Sequence, residues 1–328
     1  MQERIGLRIS LERLVSNEVP ISFVDRLEGS IRLAEGTSDS ILIQLEITES
    51  EQQQRDGVDA EEGSLAFYFN ALQTGLANIY VKIETFKQMF GKVLLNVDVI
   101  LTGMKDEDVT RDASKSPSEK TKAGDVEKEI ERLDLVVRSR RPGHIGSVAL
   151  GGTFDHLHSG HKILLTMASW LARKRIIVGV TGPSASILLN LSLDARPFTL
   201  FLDDELLTSK QFKEHLQPIS ERISTTENFI RKISSDSLEI ETFRLRDVYG
   251  PTTEEVDLQA IIVSKETLDG ARLINEVRSS KGLDELQTFV IDLIGSGQSK
   301  LQEINLKDLK MSSTEIRRWL SKQVLGSC

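Results

Sequence analysis

The sequence predicts an α/β protein whose second half is a five-stranded parallel sheet with helices on both faces. Three observations support this. Short apolar runs without polar alternation, such as GSVALGG (146–152), RIIVGVTG (175–182) and AIIVS (260–264), have the composition of strands buried on both sides. Stretches with helical apolar spacing separate them. A charged segment, 105–143, divides this half from a smaller α/β or α+β unit at 1–104.

In the first unit, strand-like runs are expected at Ile21 to Val24, Ile41 to Ile47 and Val93 to Leu101, with a helix from Gly63 to about Asn78. KDEDVTRDASKSPSEKTKAGD, from Lys105, has no apolar periodicity and is expected to be a disordered linker, with a short helix in VEKEIERLDLVVRS and a break at RRPG. The second unit, 144–328, starts with GSVALGG as a strand. GHKILLTMASWLARK follows as a helix, with apolar residues at 163, 164, 167, 170 and 171. RIIVGVTG is the second strand, and ELLTSKQFKEHL and ERISTTENFIRKIS are helical. LEIETFRL and AIIVS are the third and fourth strands, TLDGARLINEVRSSKG is a helix closed by glycine, TFVIDLI is the fifth strand and SSTEIRRWLSK is a last helix. Trp170 and Trp319 fit helix faces and are expected in the core.

With 328 residues, 39% hydrophobic and 28% charged, the chain has the composition of a two-unit soluble protein. The net charge of −9 argues against general binding to nucleic acid or anionic membrane. No apolar run reaches the roughly 20 residues of a membrane span, and MQERIGLRISLERLV lacks the apolar centre of a secretory leader. The single cysteine, Cys328, points to a reducing compartment, and the cytoplasm is the expected location. Histidine is absent before position 144, so the first unit has no histidine base.

Three of the five histidines fall in GGTFDHLHSGH, 151–161, where the first strand of the second unit gives way to its helix. Parallel sheets bind ligands at this end of their strands. His158 and His161 share one face of the first helical turn, where unpaired backbone N–H groups and the helix dipole favour an anion. Gly160 lets a flat ligand approach the backbone, and Gly152 lets the chain turn closely beneath it. A phosphate site is the favoured reading. Zinc is disfavoured, because the neighbourhood holds no cysteine and no HExxH, and no metal site is expected. Asp155 is expected to fix the loop by hydrogen bonding.

HSGH resembles the HxGH signature of the nucleotidylyltransferase superfamily, and KMSSTEIRR (310–318) resembles its second signature, SSTxxR. Ser312 and Glu315 have capping-box spacing, and Arg317 lies one turn further along. With DVYGPTTEEVDLQAIIVSKETLDGARLINEVRSSKGL (247–283) and ELLTSKQFKEHLQPI, the chain over about 145–320 resembles eukaryotic, fungal-like phosphopantetheine adenylyltransferases with that single activity. The resemblance implies a Rossmann-like nucleotidylyltransferase domain. It implies transfer of AMP from ATP to 4′-phosphopantetheine, giving dephospho-coenzyme A and pyrophosphate. It also implies that His161 meets the α-phosphate, while His158 and the Ser312, Ser313 and Thr314 loop hold the triphosphate. Thr153 and Lys210 would bind the attacking phosphate, with Lys210 also among the catalytic group. Gly152, Thr153, Phe154, Gly160, Arg278 and Arg317 would complete the ATP site. Mg2+ would arrive with ATP. Other coenzyme A biosynthetic enzymes are expected partners of the first unit. No GxxxxGK[ST] occurs, so the kinase fused to the animal domain is not expected.

Two departures stand out. Ser209 precedes Lys210 where family members often have paired lysines. An apolar insert, PSASILLNLSLDARPFTLFL (183–202), interrupts the passage from VGVT to DELL. The insert is either a lid over the pantetheine arm or a gene-model artefact such as a translated intron, and the artefact is the favoured of the two. Two further functional readings remain: a cytidylyltransferase for a small phospho-alcohol, whose second signature KMSSTEIRR does not resemble, and a non-catalytic scaffold for coenzyme A biosynthetic enzymes.

Overall fold

In the computed structural model, residues 2–35, 38–48, 62–102, 145–181, 211–245, 249–291 and 312–325 are described. The linker, Lys210 and the insert at 183–202 lie outside them.

The first unit begins with β1 (Gln2–Ser10), where Ile5, Leu7 and Ile9 point inward and Arg4, Gly6 and Arg8 outward. This strand has no counterpart in the expectations above. α1 (Leu11–Val15) starts at Ser10, whose hydroxyl accepts from the Arg13 amide. α2 (Ile21–Leu33) occupies the stretch where Ile21 to Val24 suggested a strand. The local β-branched pattern is overridden there by a longer stripe: Phe23, Leu27 and Ile31 are buried at helical spacing. β2 (Ser40–Thr48), α3 (Glu62–Met89) and β3 (Asn96–Leu101) follow. α3 runs well past Asn78, because Ile79, Tyr80 and Ile83 continue its buried face. At Gly75 a Cβ would stand 2.6 Å from the Leu14 side chain, so glycine permits the close crossing of α1 and α3. The three strands are parallel, in the order β1-β2-β3.

The second unit comprises β4 (Ile145–Gly152), α4 (Ser159–Leu171), β5 (Ala172–Thr181), α5 (Ile219–Ile233), β6 (Glu239–Leu245), β7 (Ala260–Ser264), α6 (Leu268–Ser280), β8 (Gln287–Ile291) and α7 (Ser313–Leu325). All five strands are parallel, in the order β6-β5-β4-β7-β8, giving the expected Rossmann-like α/β sheet. α4 stops at Leu171, three residues short of the expected end, because Ala172 already pairs with Ile145 across the sheet. Of the stretch 205–216, the described part ends in a single 3-10 turn, Lys213–His215.

The chain leaves β4 for β5 on one side and later returns to β7 on the other. The C-terminal end of β4 is therefore the point where strand order reverses, and a crevice for ligands opens there. One apolar cluster runs through both sheets, from Ile5 and Leu45 to Leu165 and Ile291. At the joint, Phe69 of α3 packs against Trp170 and Phe289, with ring centroids 6.4 and 5.0 Å away. Among the described residues no helix is long and apolar enough to cross a membrane.

Candidate active site

Residues 153–158 connect β4 to α4 through a turn with two non-glycine residues in the left-handed region, Phe154 (φ 49°) and His156 (φ 46°). That region is costly for a bulky side chain, and it persists only where the surroundings enforce it. Here they do. The Phe154 ring is fully buried beneath Gly152, where a Cβ would come within 3.0 Å of it, and its centroid lies 5.3 Å from that of His161. The His156 amide donates to Gln217 Oε1 at 2.6 Å, and its Nε2 lies 2.7 Å from the His215 carbonyl. His156 is thus a loop fastener. Among the described residues, no three His, Cys, Asp or Glu side chains converge as metal ligands would.

His158 caps α4: its Nδ1 accepts from the Gly160 amide at 3.2 Å. That bond fixes the neutral ring as the tautomer with its proton on Nε2, which makes Nε2 the donor. His158 and His161 stack, with centroids 3.9 Å apart and planes at 29°. Two imidazoles and the N-terminus of a helix thus occupy one spot at the sheet's switch point.

Beneath the turn, Arg222 is almost fully buried. It donates to the carbonyls of Thr153 (2.7 Å), Thr181 (2.8 Å) and Gln217 (3.0 Å), tying together the ends of β4 and β5. Burial holds its pKa below the usual arginine value, opposed by nearby Asp155. The Thr181 hydroxyl donates to that of Thr153 at 3.1 Å.

Asp155 is the hub. Its side chain is fully buried, with Oδ1 accepting from the Gln217 amide at 3.0 Å and Oδ2 ion-paired with Arg317. Its carbonyl accepts from the Ser313 hydroxyl at 2.8 Å. Ser312 caps α7, its hydroxyl accepting from the Glu315 amide at 3.3 Å, while the Glu315 carboxylate pairs with Arg318 instead of closing the capping box. SSTEIRR, more than 150 residues after HSGH in sequence, is therefore fastened to Asp155, three residues before HSGH, and its Ile316 lines the same cavity as His158 and Ser159.

Not every expected residue gathers there. Arg317 is buried, and its guanidinium is committed to Asp155, the Gln211 carbonyl (3.1 Å) and the Thr314 hydroxyl (3.2 Å). Arg278 is fully buried and donates to the carbonyls of Thr252, Glu255 and Asp284, on the connections that enter β7 and β8. Those connections enter the N-terminal ends of the strands, whereas the histidine turn leaves the C-terminal end of β4, and burial depresses the Arg278 pKa. Lys210 is not described, though its neighbour Gln211 is fastened to Arg317.

No family model matches the chain. It is 32% identical over 176 residues to a phosphopantetheine adenylyltransferase of Pyrobaculum aerophilum, covering 92% of that protein and 54% of this chain. The chain belongs to the phosphopantetheine adenylyltransferase family. It is also similar to the phosphopantetheine adenylyltransferase of Saccharomyces cerevisiae, at 36% identity over 180 residues, and to an uncharacterized protein of Schizosaccharomyces pombe, at 40% over 177. The chain spans about half the length of these two fungal relatives, 50% and 48%.

Several residues that shape this family site were not evident in the sequence. Glu84 of α3 accepts from the hydroxyl of Ser159, the first residue of α4, at 2.5 Å. Lys162, one turn on, is buried against β3, donating to Asn96 Oδ1 (2.7 Å) and the Val97 carbonyl (2.9 Å) and pairing with Asp98 (2.8 Å). Lys232 of α5 pairs with the same carboxylate. A signal was available only at Lys162, a lone cation opening the apolar run ILLTMASWL.

Proposed function

We propose that the protein transfers AMP from ATP to 4′-phosphopantetheine, releasing pyrophosphate and forming dephospho-coenzyme A. The observation carrying this reading is the junction at Asp155, which fastens the N-terminal turns of the SSTEIRR helix to the loop that leads into the stacked histidines. In this reaction a phosphate oxygen of 4′-phosphopantetheine attacks the α-phosphorus of ATP. A new P–O bond forms, and the bond between the α-phosphorus and the bridging oxygen breaks. The leaving pyrophosphate takes the electron pair. No nucleophile of the protein is required, so catalysis consists of positioning two polyanions and neutralising charge in the transition state.

In this reading His161 donates to the α-phosphate as negative charge builds on it, and His158 and the N-terminus of α7 hold the β- and γ-phosphates. Thr153, at the end of β4, and Lys210 receive the attacking phosphate. Mg2+ enters with ATP. The protein works in the cytoplasm. Its first unit docks other coenzyme A biosynthetic enzymes, for which exposed Ile21 and Leu33 at the ends of α2 provide apolar footholds; loss of co-purifying enzymes in an Ile21→Ser/Leu33→Ser variant tests this.

The deciding assay is pyrophosphate release by the full chain with ATP and 4′-phosphopantetheine, alongside CTP and a His161→Ala variant. Release that requires both substrates, prefers ATP and falls at least 100-fold in the variant is the expected result. Release with CTP alone, or none at all, overturns the reading.

A further inference from the structure

We propose that the first unit positions the histidine turn, with Glu84 of α3 as the positioning residue. The inference rests on the adenylyltransferase reading for its kinetic test, but the contact stands apart from it. Ser159 sits between the two signature histidines, next to His158 and two residues before His161. Its hydroxyl is bonded at 2.5 Å to Glu84 Oε1, a carboxylate contributed from 75 residues earlier. Glu84 is only 5% exposed, so the bond to a charged acceptor forms away from water, where it is strongest. Lys87 Nζ lies 3.3 Å from the same oxygen and keeps the carboxylate in place.

Packing does only part of this work, through Phe154, Leu157 and Ile163. A cavity of about 150 Å3 runs along the joint, lined by Glu84, Lys87, Asn96, His158, Ser159 and Lys162. On the side that faces the cavity, polar bonds hold the turn. The second such bond is Lys162 to β3, so the first turn of α4 is held by α3 at Ser159 and by β3 at Lys162. Rotation of that turn would carry both histidines with it, and a displacement of about 1 Å in a phosphate-positioning site can cost on the order of 100-fold in rate.

The test uses the full chain with Ser159→Ala, Ser159→Thr, Glu84→Ala and the double variant Ser159→Ala/Glu84→Ala, with Arg8→Ala as a surface control. We expect Ser159→Ala and Glu84→Ala each to lower kcat by about 10-fold, with the KM for ATP changed less than about twofold. Ser159→Thr keeps the hydroxyl and restores kcat, and the double variant is no slower than the slower single one. Alongside, the ring resonances of His158 and His161 in 1H–15N spectra shift in both Ala variants and return in Ser159→Thr. Unchanged kcat and unchanged ring resonances in folded Ala variants overturn the proposal. If the wild-type chain shows no transfer, the functional reading fails by itself, and the ring resonances still decide whether Glu84 sets the turn.

Discussion

At the residue scale, the site depends more on the side chains behind the histidines than on the histidines alone. Asp155 makes no contact that requires it to be a base. Its buried carboxylate is the counter-charge of Arg317 and the acceptor for the Gln217 amide. Replacing it with Asn would leave Arg317, only 3% exposed, without a counter-ion. Removal of one partner from a buried pair costs about 3–5 kcal/mol. Asp155→Asn is therefore expected to lower the urea midpoint by that equivalent and to reduce turnover more than 100-fold, since both signatures hang on this residue. A variant with normal turnover would show that the two signatures are held together by other means. His156 supports only the loop, so His156→Ala is expected to destabilise by about 1–2 kcal/mol while reducing kcat less than His161→Ala does. Denaturant titration and steady-state rates on the same preparations separate the two effects.

At the scale of elements, the joint between α4, α5 and β3 is electrostatic, and it makes a pH prediction. Burial pushes the Asp98 carboxyl up, but Lys162 and Lys232 more than offset this and hold it below its ordinary value. With the folded pKa below the unfolded one, the native state carries fewer protons in that window, and stability rises with pH through it. The contribution is present in full above about pH 4 and is lost as the pH falls through the folded value. Asp98→Asn is expected to cost about 3–5 kcal/mol at neutral pH, because it removes the counter-charge of two ammonium groups, and to flatten the loss of stability as the pH falls below about 4. Thermal midpoints of both proteins across that range check it; parallel curves would remove Asp98 from the account of acid sensitivity. This joint also marks the limit of what the sequence discloses. β4, β5 and β7 are legible because strands buried on both faces leave unbroken apolar runs. HSGH and SSTEIRR are legible because each is a local pattern at an element's start. β1 is legible by the same physics, since Ile5, Leu7 and Ile9 alternate with outward Arg4, Gly6 and Arg8 at the period of a strand buried on one face, whereas Ile21 to Val24 mislead because four residues cannot reveal the helical stripe continued by Leu27 and Ile31. Glu84, Asp98 and Arg222 are not legible as site residues, since the bonds that tie them to the site, to Ser159, Lys232 and Thr181, span 41 to 134 positions and no local periodicity encodes such pairings.

At the scale of the whole molecule, the shared core makes the first unit part of the folding unit of the second. Phe69 lies against Trp170 and Phe289, Gln73 reaches the Val290 carbonyl at 3.5 Å, and Lys162 and Lys232 are both neutralised from β3. Removal of residues 1–102 would bare the apolar face of α4 and strip Lys162 of its partners Asn96, Val97 and Asp98. The larger cost is the lost apolar burial. The expected outcome is that the remaining chain aggregates or loses cooperative unfolding, with transfer activity lowered at least 100-fold. The full chain should unfold in one transition. The protein offers its own probe, because both tryptophans lie in the second half and Trp170 reports on the joint. Tryptophan fluorescence and far-ultraviolet circular dichroism should therefore give coincident denaturation curves. Two separated transitions, or a truncated chain that folds and turns over like the whole, would mean that the first unit is a separable appendage and that the core contacts across the joint contribute little to stability.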